Sequence, residues 1–414
     1  MDLFSQFPPW IPSSNCLSSG PAGKQAHMLS AFPCVPLPAS IALRVESNQM
    51  RPSTSPSSAT GRDLKSPDLS EIDALFQEAG LVRNLRGNSG AISHKQTDRL
   101  DRADAEELRR PAPPARVARN GVQWLAVPGW EKMSAKVPWL WHGYSTRKGG
   151  VSRAYCADDA PGELNLGFTP GDSREAVLRN RSLLAEAVSG DAGTPLVAVK
   201  QFHSNVVHRA TAADAARELP WRADGLITGE PGLLLGIQTA DCIPVLVADR
   251  KRRVVGAFHA GWRGTVKRIV ETGVGCMRLE YGCRPEDMVA AIGPGVGACC
   301  YAVGEEVLSE FESQFPYARE LFHEVYSKDA VRNKYPMLFL TQRAPGHSPI
   351  GPSLHLDLVE ANRRQLLYAG LKPRAIHVLG GCTSCQTEMF FSHRASQGHA
   401  GRMMAVIGIK PSSK

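Results

Sequence analysis

From about residue 120 onward, apolar residues come in short runs bounded by Gly, Pro or charged positions. Two runs, Ile243 to Ala248 and Val254 to Phe258, are joined by the charged segment Asp249 to Arg253, which predicts an antiparallel hairpin turning in that segment. Val122 to Val127, Leu140 to Ser145, Pro195 to Val199, Met288 to Ile292, AIHVLG and MMAVIGI predict further strands, and Lys148-Gly149-Gly150 a turn. Helical spacing begins after an N-cap at Asp172 or Ser173, with Ala176, Val177, Leu183, Leu184 and Ala187 on one face. Val266, Ile269, Val270, Val274, Met277 and Leu279 predict a second helix ending at Gly282. Glu305 to Phe315 predicts a third, and LDLVEANRRQLLYAGL a fourth stopped by Gly370. The stretch 326–352 reads as an irregular linker. Regular βαβ spacing and a Gly-x-Gly-x-x-Gly turn are both missing, so the pattern predicts an α+β domain with mixed sheets rather than a Rossmann domain.

The first 120 residues lack such patterning. They hold 13 of the 30 prolines and Ser-rich patches such as Pro52 to Ser58, so residues 1–120 are expected to be a disordered extension ahead of a domain at 121–414. A short amphipathic helix at Ser70 to Leu85 is the one element predicted there. Leu29 to Val45 is broken by three prolines and makes a poor signal peptide. Met28 and Met50 are alternative starts.

Composition narrows the class. The chain is 43% hydrophobic and 21% charged, as expected of a globular protein, and no apolar run is long enough to span a membrane. The net charge is +8, but residues 1–120 carry 14 Lys+Arg against 12 Asp+Glu, which leaves a surplus of 6 spread over the rest. With no basic run of five or six, this points away from nucleic acid and suits a small anionic substrate such as phosphate. The ten cysteines do not have the spacing of a small secreted domain, so a reducing, cytoplasmic setting is expected.

The chemistry-bearing residues gather around the hairpin. Cys242 precedes its first run, His259 follows the second, and His203 sits where the Pro195 to Val199 strand gives way to polar residues. Two imidazoles and one thiolate at strand edges fit a zinc ion with three protein ligands and an open fourth position. His208 reads as a surface histidine. Asp241 is the nearest carboxylate, either a proton-transfer group or a residue orienting a zinc-bound imidazole. The turn Ala260 to Arg263 leads into a helix N-terminus, and Arg263 adds a charge suited to phosphate. Cys382-x-x-Cys385 has zinc-knuckle spacing but needs a second pair. The adjacent Cys299-Cys300 is not expected to supply it, and a redox role is kept as an alternative for Cys382 and Cys385.

QFHSNVVH, ADGLITGEPGLLLGIQTADC, HAGWRG, IGPGVGACCY and CTSCQTEMFFSHR occur in this order. The chain from about Trp139 to Ile409 thereby resembles the YfiH family, also called the laccase-domain or polyphenol oxidase family, understood as zinc-dependent purine nucleoside phosphorylases. The resemblance implies a four-layer α/β/β/α sandwich. It also implies phosphorolysis of adenosine, inosine, guanosine and S-methyl-5′-thioadenosine, with adenosine deamination beside it. His203, Cys242 and His259 are then the zinc ligands and the centre of catalysis, with Asn165 and Arg181 flanking the substrate pocket. The Cys382-x-x-Cys385 stretch, which recurs in the family outside the metal site, is then pocket wall or packing. Asp241 and Arg263, from their own positions, are expected to contact substrate as well. Without the resemblance, Arg181 reads as part of a solvated helix face. The implied partners are nucleosides and phosphate, with no nucleic acid or membrane, and the protein is expected to be a monomer or homodimer.

Two other classes remain. The donor set would accept copper in vitro, but a multicopper laccase needs about ten histidines, largely as His-x-His pairs, and the 12 histidines here form none. A non-catalytic, metal-stabilised binding module would require a fourth protein ligand.

Overall fold

The computed structural model describes residues 100–411 except 129, 131–138, 157–159 and 327–351. The described residues fall within one compact unit, Ser93–Lys414. The helix expected at Ser70 to Leu85 and most of the expected linker lie outside the described residues.

In chain order the unit begins with β1 (Asp101–Ala103), β2 (Arg116–Val117), β3 (Gln123–Leu125), β4 (Leu140–Ser145), β5 (Lys148–Ser152) and helix α1 (Arg174–Ser189). Next come β6 (Leu196–Ala198), β7 (Val207–Arg209), β8 (Gly225–Thr228), β9 (Leu233–Thr239), β10 (Ile243–Asp249) and β11 (Val254–Ala260). They are followed by α2 (Trp262–Val266), α3 (Ile269–Tyr281), β12 (Met288–Ile292), α4 (Glu305–Gln314) and β13 (Phe322–Val325). The unit ends with β14 (Ser353–Leu356), α5 (Leu358–Tyr368), β15 (Ile376–Val378) and β16 (Met403–Ile409).

One six-stranded sheet has the order β15-β12-β10-β11-β8-β7, the other β2-β3-β4-β16-β9-β6, and β1-β13-β14 forms a small third sheet. Pairings β6–β9, β7–β8 and β12–β15 are parallel and most others antiparallel, so the sheets are mixed as expected.

The layering follows from side-chain alternation. In β9, Leu233, Leu235 and Ile237 enter the core between the two large sheets, where Leu246, Ala248, Val255 and Ala257 of the opposite sheet meet them. Leu234 points the other way and packs beneath Leu183 and Leu184 of α1. On the far side, Val245, Val247 and Phe258 turn outward onto Ile269, Val274 and Met277 of α3, with α4 and α5 completing that layer. The result is the α/β/β/α sandwich. Both faces of each large sheet are covered, which is why the strand sequences are apolar runs rather than alternations.

The hairpin forms as expected, its register setting Ile243 opposite Ala260 and Asp249 opposite Val254. Its turn is held by Asp249 Oδ1, which accepts the N–H groups of Lys251 and Arg252 at 2.8 and 2.9 Å. Ser173 caps α1, its hydroxyl accepting the Ala176 N–H.

Three expectations need correction. Lys148 to Gly150 is not a turn but the start of β5. The single helix expected from Val266 is two: Arg268 takes a left-handed conformation at φ 60°, which ends α2 after five residues and restarts the chain as α3. The segment 101–117, assigned by its sequence to the extension, contributes β1, parallel to β13, and β2, antiparallel to β3.

Candidate metal centre and adjoining cavity

The hairpin register puts His259 of β11 opposite Pro244, so Cys242, just before β10, lies at the same open end. His203 arrives from the loop between β6 and β7. The donor atoms of His203, Cys242 and His259 all lie within 4.8 Å of one another. Cys242 Sγ is 3.8 Å from His203 Nε2, and the two imidazole rings are 5.0 Å apart at 64°. Three residues from three chain segments therefore converge, as the sequence led one to expect.

Backbone strain accompanies this convergence. His203 and Asp241 both adopt positive φ, 62° and 99°, a conformation that costs a non-glycine residue of order 1 kcal/mol or more and persists only where neighbours fix it. Asp224 fixes the first. Its carboxylate accepts the N–H groups of Phe202, His203 and Ser204 and the Ser204 hydroxyl, at 2.7–3.2 Å. Asp241 fixes the second itself. Its Oδ1 accepts the hydroxyls of Thr383 and Ser392, and its Oδ2 the N–H of Arg394, all at 2.7 Å. Gly261 completes the cradle, because a Cβ there would lie 2.8 Å from Cys242 Sγ and 2.9 Å from His203 Cδ2.

Asp224 has a second role, missed by the sequence reading. Its fully buried Oδ1 lies 2.9 Å from His259 Nδ1, which orients that ring and leaves Nε2 for the centre. The task proposed for Asp241 thus belongs to Asp224, seventeen residues upstream. Nothing in local spacing marks it, since the contact exists only because β8 pairs with β11.

The electrostatics suit a metal-binding thiolate. Burial alone would raise the Cys242 thiol, but the charge on His259 and hydrogen bonds from His203 and His259 outweigh it, bringing the pKa to about 6. Burial would likewise lower His259, yet the Cys242 thiolate and Asp224 raise it to about 9. Asp224 lies well below the usual carboxylate range: burial opposes the shift, and hydrogen bonds from His259 and Ser204 prevail. A soft thiolate with two imidazoles is a donor set that can hold a metal ion.

The centre opens on a cavity of about 580 Å³ whose walls include Phe168, Arg181, Lys200, Gln238, His393 and Arg402. Arg181 is no solvated helix residue. Its Nε donates to the Leu166 carbonyl, its guanidinium lies 4.5 Å from the Phe168 ring, and burial, then Arg174, lowers its pKa to about 10. Asn165 is fully buried and uses both amide ends internally. It donates to Gly167 O, Thr169 Oγ1 and Asp172 Oδ2, and accepts the N–H groups of Gly167 and Arg402. It therefore positions Arg402 and the Phe168 loop instead of facing the cavity.

Arg263 departs from expectation. It is exposed, stacks on Trp262 at 4.3 Å and does not line this cavity. The α2 terminus beside it is too short to act as a dipole. The cavity's cations come instead from Arg181, Lys200 and Arg402, of which only Arg181 was singled out. His208 lies elsewhere, 3.4 Å from Asp214.

Cys299, Cys300, Cys382 and Cys385 correct a further expectation, that the adjacent pair cannot complete a four-cysteine set. The sulfurs of Cys299, Cys300, Cys382 and Cys385 all lie within 4.8 Å of one another. Adjacent residues point to opposite sides in a strand, but Cys299 and Cys300 lie in a tight turn. The N–H groups of Cys300 and Tyr301 both donate to the Gly297 carbonyl at 2.9 Å, and the coiled backbone sends both thiols one way.

Comparison with known proteins agrees with this architecture. The family described as multi-copper polyphenol oxidoreductase laccase matches residues 141–410. A curated relative, purine nucleoside phosphorylase YlmD of Geobacillus stearothermophilus, is 35% identical over 276 residues, covering 64% of this chain and 89% of that protein. Adenosine deaminase RL5, from an unknown prokaryotic organism, is 31% identical over 270 residues, with 64% and 92% covered. The crystal structure of Bacillus licheniformis hypothetical protein YfiH superposes with a TM-score of 0.58 at 30% identity, covering 72% of this chain and 99% of that one.

Proposed function

Since the chain belongs to the laccase-domain (YfiH) family, we propose that it is a zinc-dependent purine nucleoside phosphorylase. On this reading it converts adenosine, inosine or guanosine, with phosphate, to the free base and ribose 1-phosphate, and S-methyl-5′-thioadenosine to adenine and 5-methylthioribose 1-phosphate. The observation that carries the proposal is the pairing of a three-donor centre with a cavity walled by Arg181, Lys200 and Arg402. Relatives named purine nucleoside phosphorylase support it independently.

His203, Cys242 and His259 would hold the zinc ion, which when bound supplies positive charge at the cavity floor. Arg181, Lys200 and Arg402 bind the phosphate and bring an oxygen to the ribose C1′. That oxygen forms the new bond as the bond from C1′ to purine N9 breaks, and the electron pair leaves with the base. Negative charge grows on the purine, so a proton donor near the ring lowers the barrier. His393 is the cavity imidazole outside the donor set, and on this reading it delivers that proton. Phe168, half-exposed in the cavity wall with the Arg174 and Arg181 guanidiniums 4.9 and 4.5 Å from its ring, gives the base an aromatic neighbour on this reading.

Adenosine deamination is assigned as the side activity, supported by the relative that bears that name. Zinc deaminases use a carboxylate to shuttle protons, and no Asp or Glu is among the described residues lining the cavity. Polyphenol oxidation is the weaker reading: among the described residues only two clusters suit a metal, and one is all cysteine. Incubating the protein with adenosine or inosine, with and without phosphate, and separating products by chromatography tests the proposal. Phosphate-dependent release of adenine or hypoxanthine with ribose 1-phosphate is expected. Base release indifferent to phosphate would make the protein a hydrolase.

A further inference from the structure

We propose that Cys299, Cys300, Cys382 and Cys385 form a tetrathiolate site for a zinc-class metal ion, structural in role and separate from the His203–Cys242–His259 donor set. Four thiolates around zinc, with bonds of about 2.3 Å, place their sulfurs about 3.8 Å apart along the edges of a tetrahedron. Here Cys300 and Cys385 are 3.3 Å apart, Cys299 and Cys385 3.6 Å, and every sulfur lies within 4.8 Å of the others. Cys299 and Cys382 are buried, Cys300 and Cys385 partly so. Small hydrophobic packing explains one buried cysteine, or two. It gives no reason for four sulfurs from two distant loops to converge within 4.8 Å of one another.

The surroundings are built for charge on sulfur. The Gly297 N–H donates to Cys382 Sγ at 3.3 Å, and an amide aimed at sulfur stabilises a thiolate more than a thiol. Gly297 has little room to be anything else: a Cβ there would sit 3.1 Å from Cys299 Sγ and 3.2 Å from Cys382 Cβ. The loops after β12 and β15 are already paired, Gly295 donating to Gly381 O and Thr383 donating to Gly295 O. With four protein ligands the site has no open position, which marks it as structural.

Its consequence reaches the other centre. Thr383, beside Cys382, donates to Asp241 Oδ1, and the Val296 N–H donates to the Asp241 carbonyl, each at 2.7 Å. A metal clamping these loops therefore helps hold Asp241 at its positive φ, next to Cys242.

Metal analysis of the full chain, purified under reducing conditions and dialysed against metal-free buffer, tests the site without an activity assay. About two zinc per chain are expected, about one in Cys385→Ser, and about one in Cys242→Ala. A single zinc that survives Cys242→Ala and is lost in Cys385→Ser would also support the site, while counting against the three-donor centre. A single zinc lost in Cys242→Ala and kept in Cys385→Ser would overturn the proposal. Should Cys385→Ser fail to fold, the wild-type protein reconstituted with cobalt(II) gives a second readout. Thiolate-to-cobalt charge-transfer absorption should far exceed that of one thiolate and persist in Cys242→Ala. A charge-transfer band abolished by Cys242→Ala, or a disulfide among these four cysteines in freshly reduced protein, would also refute it.

Discussion

Asp224 Oδ1 lies 2.9 Å from His259 Nδ1, and the same carboxylate accepts the backbone N–H groups of Phe202, His203 and Ser204. One buried side chain thus sets both the tautomer of one donor and the strained backbone of another. Replacing it should act on metal binding before it acts on the fold. Asp224→Asn is expected to lower zinc affinity about 10–100-fold, measured by competition with a chromophoric chelator. Unchanged affinity would show that His259 needs no such partner.

Gly261 is the position where added volume meets the donors directly, 2.8 Å from Cys242 Sγ. Gly261→Ala should lose much of the metal of this centre while the circular dichroism spectrum stays native. Full metal occupancy in that variant would mean the donors have room to shift.

The cavity cations divide by position. Arg181→Leu should raise the KM for phosphate about tenfold to a hundredfold, as expected for loss of a hydrogen bond worth roughly 1.5–3 kcal/mol to a charged group. Arg263→Leu, which removes a guanidinium stacked on Trp262 outside the cavity, should leave that KM nearly unchanged. If Arg263→Leu proves the more damaging variant, phosphate binds on the Trp262 side and the cavity assignment is wrong.

Metal-free protein should reveal the thiolate. A pKa of about 6 leaves Cys242 mostly deprotonated above that pH, and an ordinary thiol would be mostly protonated until well above neutrality. Alkylation of Cys242 by iodoacetamide after chelation, followed by peptide mass spectrometry, should therefore level off above about pH 7, falling only as the pH drops through 6. A rate still climbing tenfold per pH unit at pH 8 would contradict the ion pair with His259.

Truncation separates the extension from the fold. Ser93–Lys414 is a compact unit, so removing residues 1–92 should leave melting temperature and turnover nearly unchanged. Removing 1–120 takes away β1, β2 and Arg110, which pairs with Asp357 at 3.1 Å and accepts the Gly381 N–H through its carbonyl. That deletion should lower the melting temperature by several degrees, given about 4 °C or less per kcal/mol for a domain of this size. Equal melting of the two truncations would make 100–120 dispensable.

Periodicity and punctuation are local properties, and they were legible in the chain. The hairpin from Ile243 to Ala260, the Ser173 cap, and the helices of Glu305 and Leu358 follow from spacing that neighbouring residues impose on one another. Cys242 and His259 could be paired from sequence because a single turn brings them together. What only the tertiary structure decided depends on contacts between distant segments. Asp224 reaches His259 through the pairing of β8 with β11, and Arg402 reaches the cavity through the buried amide of Asn165. Cys299 and Cys300 meet Cys382 and Cys385 because two loops, each following one of a pair of parallel strands, fold over the same end of the sheet. Sequence spacing carries no record of such meetings. Strand order and the path of the backbone between strands set them, and burial then holds the side chains where those paths cross.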